Sequence, residues 1–215
     1  MIISHGRRYI FVHIPKTGGT SLALALEARA LKDDILIGDT PKAQKRHKRQ
    51  KALSARGRLW KHSRLSDIDG LVPREALADM LIFTLVRNPW DRMVSYYHWL
   101  REQTFDHPAV ALARETDFAA FLGHPQTART LRTERYGAYV TDAAGVERAA
   151  AFVRLEHLRA DLAPVEAHLG FTLSDIPHVN RSDRAGQYQR YYDNRLRDLV
   201  AEAYSEDIAR FGYRF

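Results

Sequence analysis

The stretch YIFVHIPKTGGTSLALAL, residues 9–26, constrains the fold more than any other part of the sequence. Its first six residues are apolar, aromatic or β-branched, which is the composition of a short buried strand. Pro15 and two glycines then interrupt the run, and residues 21–31 are rich in good helix formers. A buried strand that turns through glycines directly into a helix is typical of an α/β sheet.

A second junction of the same kind lies in MLIFTLVRNPWDRMVSYYHW, residues 80–99. Met80–Val86 is another buried-strand candidate, Asn88 suits a helix N-cap, and Pro89 suits the first helical position. Strands that alternate with helices predict an α/β fold: a single domain over residues 1–215 with a central, mainly parallel sheet flanked by helices. Ligands bind beyond the carboxyl ends of the strands in such sheets, so both junctions are candidate binding sites.

Three further segments complete the predicted elements. A short helix follows the cap Asp117 and ends near Gly123, and a strand is predicted at residues 151–155. A helix is predicted at 158–169, before a glycine. Residues 193–210 form the strongest amphipathic pattern, which predicts one long helix.

The composition excludes several classes of site and location. The chain has no cysteine, which excludes a disulfide framework, a thiolate metal site and a cysteine nucleophile. The N-terminal residues lack the apolar region of a signal peptide. No apolar stretch approaches the roughly 20 residues that span a bilayer. We therefore expect no transmembrane segment and a cytoplasmic location.

The first junction, PKTGGTS, carries the groups that bind a phosphate or a sulfate. Glycines let a ligand approach the main chain, and the N–H groups at a helix N-terminus attract anions. Lys16 adds a positive charge, and the hydroxyls add donors. The lysine precedes the glycines, and the second strand runs into Arg87 without a Walker-type aspartate, so a Mg²⁺-dependent NTPase is not expected. A turn that binds nothing stays an alternative on this motif alone.

The second junction offers a different pair of groups. Arg87 comes at the carboxyl end of the predicted strand, and Ser95 lies eight residues later, about two turns into the helix. An arginine fork and a hydroxyl can hold a phosphate together. A surface ion pair between Arg87 and Asp91 is the alternative.

The two motifs together, HIPKTGGTS and FTLVRNPWDRMVSYYHW, resemble those of sulfotransferases that use 3′-phosphoadenosine 5′-phosphosulfate (PAPS). The resemblance is greatest to the branch with the Golgi carbohydrate sulfotransferases and their bacterial relatives. Later segments resemble the same family: FVRLEHLRADL, IPHVNRSDRAGQYQRYYD and LVAEAYSEDIARFGYRF. The resemblance implies a P-loop-NTPase-like sulfotransferase fold. It also implies transfer of a sulfuryl group from PAPS, the co-substrate, to a hydroxyl of a carbohydrate without a metal ion.

The resemblance also assigns the donor site by position. The 5′-phosphosulfate loop would consist of Lys16, Thr17, Gly18, Gly19, Thr20 and Ser21. Arg87 and Ser95 would bind the 3′-phosphate, and Ser182 and Arg184 lie where the family has a late loop near the nucleotide. Arg154 is expected to support the fold.

Sulfuryl transfer needs a cation at the leaving oxygen and a base for the acceptor hydroxyl. We assign the first task to Lys16, beside the loop. We assign the second to His62, which matches a family position where a Lys-His pair lies upstream of the second strand. His62 could instead belong to a solvated basic segment, as His47 is expected to. Other base candidates are His13, His98, His178 and Glu27.

Residues 42–64 contain ten Lys or Arg and no Asp or Glu. Without them, 23 basic residues face 26 acidic ones, so the whole positive excess of the chain lies in this basic tract. We predict a basic insertion or flap at residues 40–66. It is either a flap that recruits an anionic acceptor or a solvated, partly disordered insertion. It has one aromatic residue, Trp60, and no recognisable nucleic-acid-binding fold, so no nucleic-acid partner is expected.

Two other functions compete with the sulfotransferase hypothesis. One is a metal-dependent, kinase-like phosphotransferase on the same general fold. The other is a nucleotide- or polyanion-binding protein without catalytic activity. The sequence identifies neither the acceptor nor the oligomeric state.

Overall fold

The computed structural model describes residues 1–173, 176 and 187–215. The strands in these residues are β1 (Ile2–Ser4), β2 (Tyr9–Val12), β3 (Ile35–Leu36), β4 (Leu81–Val86) and β5 (Ala151–Arg154). The α-helices are α1 (Gly19–Ala28), α2 (Pro41–Lys45), α3 (His47–Gln50), α4 (Arg74–Ala78), α5 (Pro89–Arg101), α6 (Pro108–Glu115), α7 (Phe118–Gly123), α8 (Pro125–Thr133), α9 (Tyr136–Tyr139), α10 (Leu158–Leu169), α11 (Asn194–Ala203) and α12 (Ser205–Phe211).

The chain folds into two compact units. The first contains Met1–Val86 and the described part of Tyr136–Val179, and it holds the sheet. The second contains Arg87–Arg135 and the described part of Asn180–Phe215, and its described elements are helical.

The sheet of the first unit has the strand order β3-β1-β2-β4-β5. Strands β2, β4 and β5 pair in parallel, while β1 is antiparallel to both of its neighbours. Strand β3 therefore runs in the direction of β2, and four of the five described strands point the same way. The predicted α/β fold with a mainly parallel sheet is confirmed.

Helices α1 and α10 pack on one face of this sheet. Alternate strand residues such as Phe11, Phe83 and Val153 belong to one buried cluster with Leu22 of α1 and Leu162 of α10. The period of two along the strands explains why every second residue enters the same cluster. This packing fixes the start of α1 just beyond the carboxyl end of β2.

The second unit has its own apolar core, centred on α5. Trp90, Met93 and Tyr97 recur at helical spacing, as expected, and cluster with Phe121 of α7 and Leu196 of α11. Helix α5, with 13 residues, is the longest helix in the described residues. None of the helices in residues 1–173 and 187–215 is long and apolar enough to cross a membrane.

The predicted single helix over residues 193–210 is wrong, because the chain leaves helical geometry at Tyr204. This residue has φ −112° and ψ 23°, and it separates α11 from α12. Its ring is buried and its hydroxyl accepts a hydrogen bond from Nη1 of Arg92 at 3.3 Å. The tertiary contacts of Tyr204 therefore separate two helices, although the sequence is amphipathic both before and after this residue.

The start of the basic tract is ordered by contacts within the first unit. Thr40 caps α2 by accepting a hydrogen bond from the N–H of Ala43, whose side chain is buried in the sheet core. Arg46 donates to the carbonyl of Asp34 at 2.9 Å, and Arg49 donates to the carbonyl of Lys32 at 2.8 Å. Two short helices, α2 and α3, thus replace the loop or mobile helix predicted for this part of the tract.

Candidate functional site

The turn between β2 and α1 has an unusual backbone. Lys16 has φ 65° and Gly18 has φ 85°, so both lie in the left-handed region. Glycine adopts this region at little cost, but a residue with a side chain rarely does. Strained backbone of this kind is concentrated at functional sites, and here it occurs at the lysine singled out from the sequence.

The N-terminus of α1 has no side-chain cap. Gly18 occupies the N-cap position and, as a glycine, offers no side chain to cap the first turn. The positive end of a ten-residue helix and the half-buried Thr20 and Ser21 therefore adjoin the turn. Such a terminus is suited to binding an anion.

Thr17 has a different place in the same turn. Its side chain is fully buried and its hydroxyl donates a hydrogen bond to the carbonyl of Ile14 at 2.9 Å. The hydroxyl of Thr17 therefore stabilises the turn, and only its main chain is placed to contact a ligand.

The ring of His13 lies underneath the turn. A Cβ atom added to Gly19 would stand 2.2 Å from Cδ2 and 2.6 Å from Nε2 of His13. His13 is 6% exposed and stacks on Phe11, so the ring has little room to move aside. Gly19 is thus needed because the imidazole fills the space of a side chain. The expectation that His13 is a packed strand residue agrees with this position.

The structure brings His62 to the same turn. Its Nδ1 lies 2.8 Å from the carbonyl oxygen of His13, and the two imidazole rings are 4.6 Å apart at 70°. A carbonyl oxygen only accepts hydrogen bonds, so Nδ1 of His62 carries the proton and Nε2 keeps its lone pair. Trp60 contacts the same ring edge-on, at 5.1 Å and 86°. His62 is therefore fixed in the tautomer that a general base requires.

Burial determines the charge of both histidines. Desolvation lowers the pKa of His62 to about 3, although the hydrogen bond to the His13 carbonyl acts in the opposite direction. Desolvation also lowers the pKa of His13 well below its ordinary value. Both rings are neutral at neutral pH, so the lone pair of His62 Nε2 is unprotonated there.

Two carboxylates lie near these rings: Glu27, one of the base candidates from the sequence, and Asp39, which the sequence did not single out. Asp39 pairs with Nζ of Lys61 at 2.6 Å, and the buried Glu27 accepts a hydrogen bond from Thr40 at 2.6 Å. Both line a small cavity beside His13. Burial raises the pKa of Glu27. The local sequence gives no signal for Asp39 except the Lys-His pair that contains its partner Lys61.

Arg87 and Ser95 belong to the second unit. Nε and Nη2 of Arg87 contact Oδ2 of Asp91 at 2.8 and 2.6 Å, and the arginine side chain is 13% exposed. The ion pair that the sequence left as an alternative thus forms, in a largely buried setting. Ser95 is 5% exposed on α5. The pair holds the guanidinium in one orientation, and phosphate binding by these two residues stays a prediction.

Two other residues named from the sequence make structural contacts. Arg154 forms a two-point ion pair with Asp161 at 2.7 and 2.9 Å, which suits the expected role in supporting the fold. Nε2 of His98 lies 2.9 Å from the hydroxyl of Tyr191 within the second unit.

Ser182, Arg184 and His178 lie outside the described residues. Within the described part of the chain, no group of three or more His, Asp or Glu side chains is arranged to hold a metal ion.

A mainly parallel sheet with a glycine-containing turn at a helix N-terminus defines the class as an α/β protein with a candidate anion-binding junction. The family model described as "Sulfotransferase family" matches residues 1–214, and the chain belongs to this family. The family predicted from the two motifs is therefore confirmed.

The crystal structure of mouse sulfotransferase SULT7A1 complexed with PAP has a similar fold. The match has a TM-score of 0.54 and 18% sequence identity, and it covers 96% of this chain and 86% of that chain. At this identity the likeness supports the fold alone. No curated protein matches the chain in sequence.

Proposed function

We propose that this protein transfers the sulfuryl group of PAPS to a hydroxyl group of a carbohydrate. The observation that carries the proposal is the turn between β2 and α1, where an uncapped helix N-terminus meets a lysine in the left-handed region. Membership of the sulfotransferase family supports it, as does the fold shared with a sulfotransferase that was solved with PAP.

The sheet order supports a nucleotide site beyond the carboxyl ends of the strands. Strands β2 and β4 are parallel neighbours, so their carboxyl ends lie at the same edge of the sheet. We assign the 5′-phosphosulfate to the turn of residues 16–21, which follows β2. We assign the 3′-phosphate to Arg87, which follows β4, and to Ser95. Ser182 and Arg184 keep their predicted place near the nucleotide.

The reaction replaces one sulfur–oxygen bond with another. The bond from sulfur to the bridging oxygen of the donor breaks, and a bond from sulfur to the acceptor oxygen forms. Negative charge grows on the former bridging oxygen, where we place the ammonium of Lys16. The proton of the acceptor hydroxyl passes to Nε2 of His62.

The environment of His62 supports its role as the base. Its Nδ1–H is held by the His13 carbonyl, so the lone pair of Nε2 is available. A pKa of about 3 makes the ring a weak base in the protein alone. The negative charges of a bound phosphosulfate raise the pKa of a nearby imidazole, so basicity increases when the donor is bound.

Isothermal titration with adenosine 3′,5′-bisphosphate tests the donor site. We expect Arg87→Ala to bind the bisphosphate roughly 10–100-fold more weakly, because a charge-assisted contact to phosphate is lost. Binding of adenosine 5′-monophosphate, which lacks the 3′-phosphate, is expected not to change. Arg132→Ala, at an exposed position on α8, is the matched control. No binding of the bisphosphate by the wild type, or equal binding by Arg87→Ala, would overturn the proposal.

Two measurements separate the competing functions. A kinase-like phosphotransferase would bind ATP in a Mg²⁺-dependent manner. An inactive binding protein would bind the bisphosphate but transfer no labelled sulfate from PAPS to any acceptor, and His62→Ala would change no measured rate.

A further inference from the structure

We infer that Trp60 and Arg58 form a binding subsite for an acidic sugar ring of the acceptor, next to His62. The inference rests on the proposed function and extends it to the chemical class of the acceptor. Trp60 is 45% exposed, although tryptophan is usually well buried. A large exposed ring beside a candidate base is a natural platform for a ligand.

The contacts of Trp60 place a bound ring next to the reacting group. Its indole meets the ring of His62 edge-on at 5.1 Å. The N–H of Trp60 donates to Oγ of Ser63 at 2.8 Å, and the single proton of this buried hydroxyl has two carbonyl acceptors within 2.9 Å, those of Arg58 and Trp60. The turn that carries the indole is therefore fixed before a ligand arrives, which reduces the entropy lost on binding.

Positive charge surrounds the platform. The guanidinium carbon of Arg58 lies 6.0 Å from the centroid of the Trp60 ring, and the arginine is exposed. Lys45, Lys48 and Lys51 are exposed on the same tract. None of these three lysines has a carboxylate partner within the described residues. Their charges are thus available to an anionic ligand.

An open groove lies in the same tract and has Lys51 in its lining. It has a volume of about 320 Å³. The residues that line it are His47, Gln50, Lys51, Leu53, Ala55, Gly57 and Leu59. Leu59 immediately precedes Trp60, and its carbonyl accepts a hydrogen bond from Gln50 at 3.3 Å. The groove therefore offers Lys51 to an anionic ligand and reaches the residue that precedes the indole.

This combination of groups favours an acidic glycan over other polyanions. The flat face of an indole packs against the C–H groups of a pyranose ring, and the cations attract its carboxylates. Single-stranded nucleic acid needs successive aromatic platforms, and the tract has one. Binding to a lipid surface needs an amphipathic helix, but α2 and α3 have five and four residues.

The first arm of the experiment tests the platform with defined sugars. Binding of fluorescent octasaccharides of hyaluronan, chondroitin, heparosan and alginate is measured by anisotropy, with a neutral chitin octasaccharide as reference. We expect at least one of the uronate-containing sugars to bind the wild type more tightly than chitin does. Trp60→Ala is expected to weaken that binding on the order of tenfold, whereas Trp60→Phe retains most of it.

The second arm tests the charges with a matched pair of triple variants. Lys45→Gln, Lys48→Gln and Lys51→Gln together are expected to weaken uronate binding on the order of tenfold and to reduce its salt dependence. The control removes three exposed charges from the second unit, by Arg114→Gln, Arg129→Gln and Arg132→Gln. It is expected to bind like the wild type.

Three results would overturn the inference: no binding of any uronate sugar, equal binding by Trp60→Ala, or tighter binding of a single-stranded DNA 20-mer through the same lysines. Titration with adenosine 3′,5′-bisphosphate keeps the two proposals apart. If the bisphosphate binds and the sugar arms fail, only the acidic-sugar subsite is wrong. If the bisphosphate does not bind, the proposed function is wrong.

Discussion

The two strand-to-helix junctions look alike in sequence but differ in how the helix N-terminus is treated. At the junction after β2, Gly18 is the N-cap and no side chain caps α1. At the junction after β4, Asn88 accepts hydrogen bonds from the N–H groups of Trp90 and Asp91. The first helix therefore lacks a cap from its N-cap side chain, whereas the second has one.

The charged residues of the two junctions, Lys16 and Arg87, also differ in their surroundings. Lys16 lies in a strained turn above a buried imidazole, with backbone N–H groups beside it. Arg87 is already paired with Asp91 of its own helix. A ligand at the first junction can be bound by main chain and side chain together, but a ligand at the second must be bound by side chains.

The largest effect is expected at Lys16. Lys16→Ala should lower kcat about 100–1000-fold, the usual result of removing one group that stabilises developing charge. The affinity for adenosine 3′,5′-bisphosphate should change far less. The measurements are steady-state kinetics with labelled PAPS and calorimetry.

Lys32→Ala is the control for this prediction, because Lys32 is exposed and lies after α1. Equal losses in kcat and in nucleotide affinity for Lys16→Ala would show that the lysine only anchors the donor.

The next effect concerns the glycine above His13. Gly19→Ala should destabilise the protein by about 1–3 kcal/mol, because the new methyl group overlaps a buried ring. Urea unfolding of the variant measures the change. Gly38→Ala is the matched control, since its added Cβ would meet nothing closer than Lys61 Cβ at 3.9 Å. A Gly19→Ala variant as stable as Gly38→Ala would contradict the position of His13.

A smaller loss is expected from the cap of α5. Asn88→Ala should reduce the free energy of unfolding by about 1–2 kcal/mol, because the N-cap is lost together with a hydrogen bond to the carbonyl of Arg214. Asn88→Ser keeps a capping oxygen and should recover part of the loss. Thermal unfolding of both variants makes the comparison, and equal melting temperatures would argue against the cap.

The smallest effect is a change in the pH dependence of stability. The pKa of His62 is about 3 in the folded protein, against about 6.5 in an unfolded chain. Below pH 6.5 the unfolded state takes up a proton that the folded state does not, so stability falls as the pH drops from 6.5 towards 3.

His62→Gln removes this contribution, and its stability should depend less on pH, by at most about 1.4 kcal/mol per pH unit. Urea unfolding at pH 7 and pH 5 measures the slopes, and His47→Gln, at an exposed position, is the control. Identical slopes for all three proteins would show that His62 is not buried as described.

Local features of the fold were predictable because their causes are local. Asn88 and Asp117 cap the helices that the sequence assigned to them, since a cap bonds to N–H groups two or three residues away. Gly170 ends α10 in the left-handed region for the same reason. Strands β1 and β3 were not predicted, because two or three residues show no periodicity until a neighbouring strand pairs with them.

The candidate site was predictable in part. The residue types of the turn pointed to Lys16, whereas the choice of His62 as base candidate came from the resemblance to the sulfotransferase family. The sequence did not predict that His62 would bond to the carbonyl of His13, 49 residues earlier, or that Glu27 would bond to Thr40. Contacts over such separations depend on how α1 and the basic tract pack, which no local pattern encodes.

The sequence by itself determined the buried strands β2 and β4 with the helices that follow them, the predicted anion-binding chemistry of the turn after β2, and the family. These follow from the kinds of residue that stand next to each other in the chain. Only the tertiary structure decided the tautomer and charge of His62, the pairing of Arg87 with Asp91, and the exposure of Trp60 beside the base. Each of these depends on which residues pack around a side chain and exclude water from it. Only the folded chain brings those residues together.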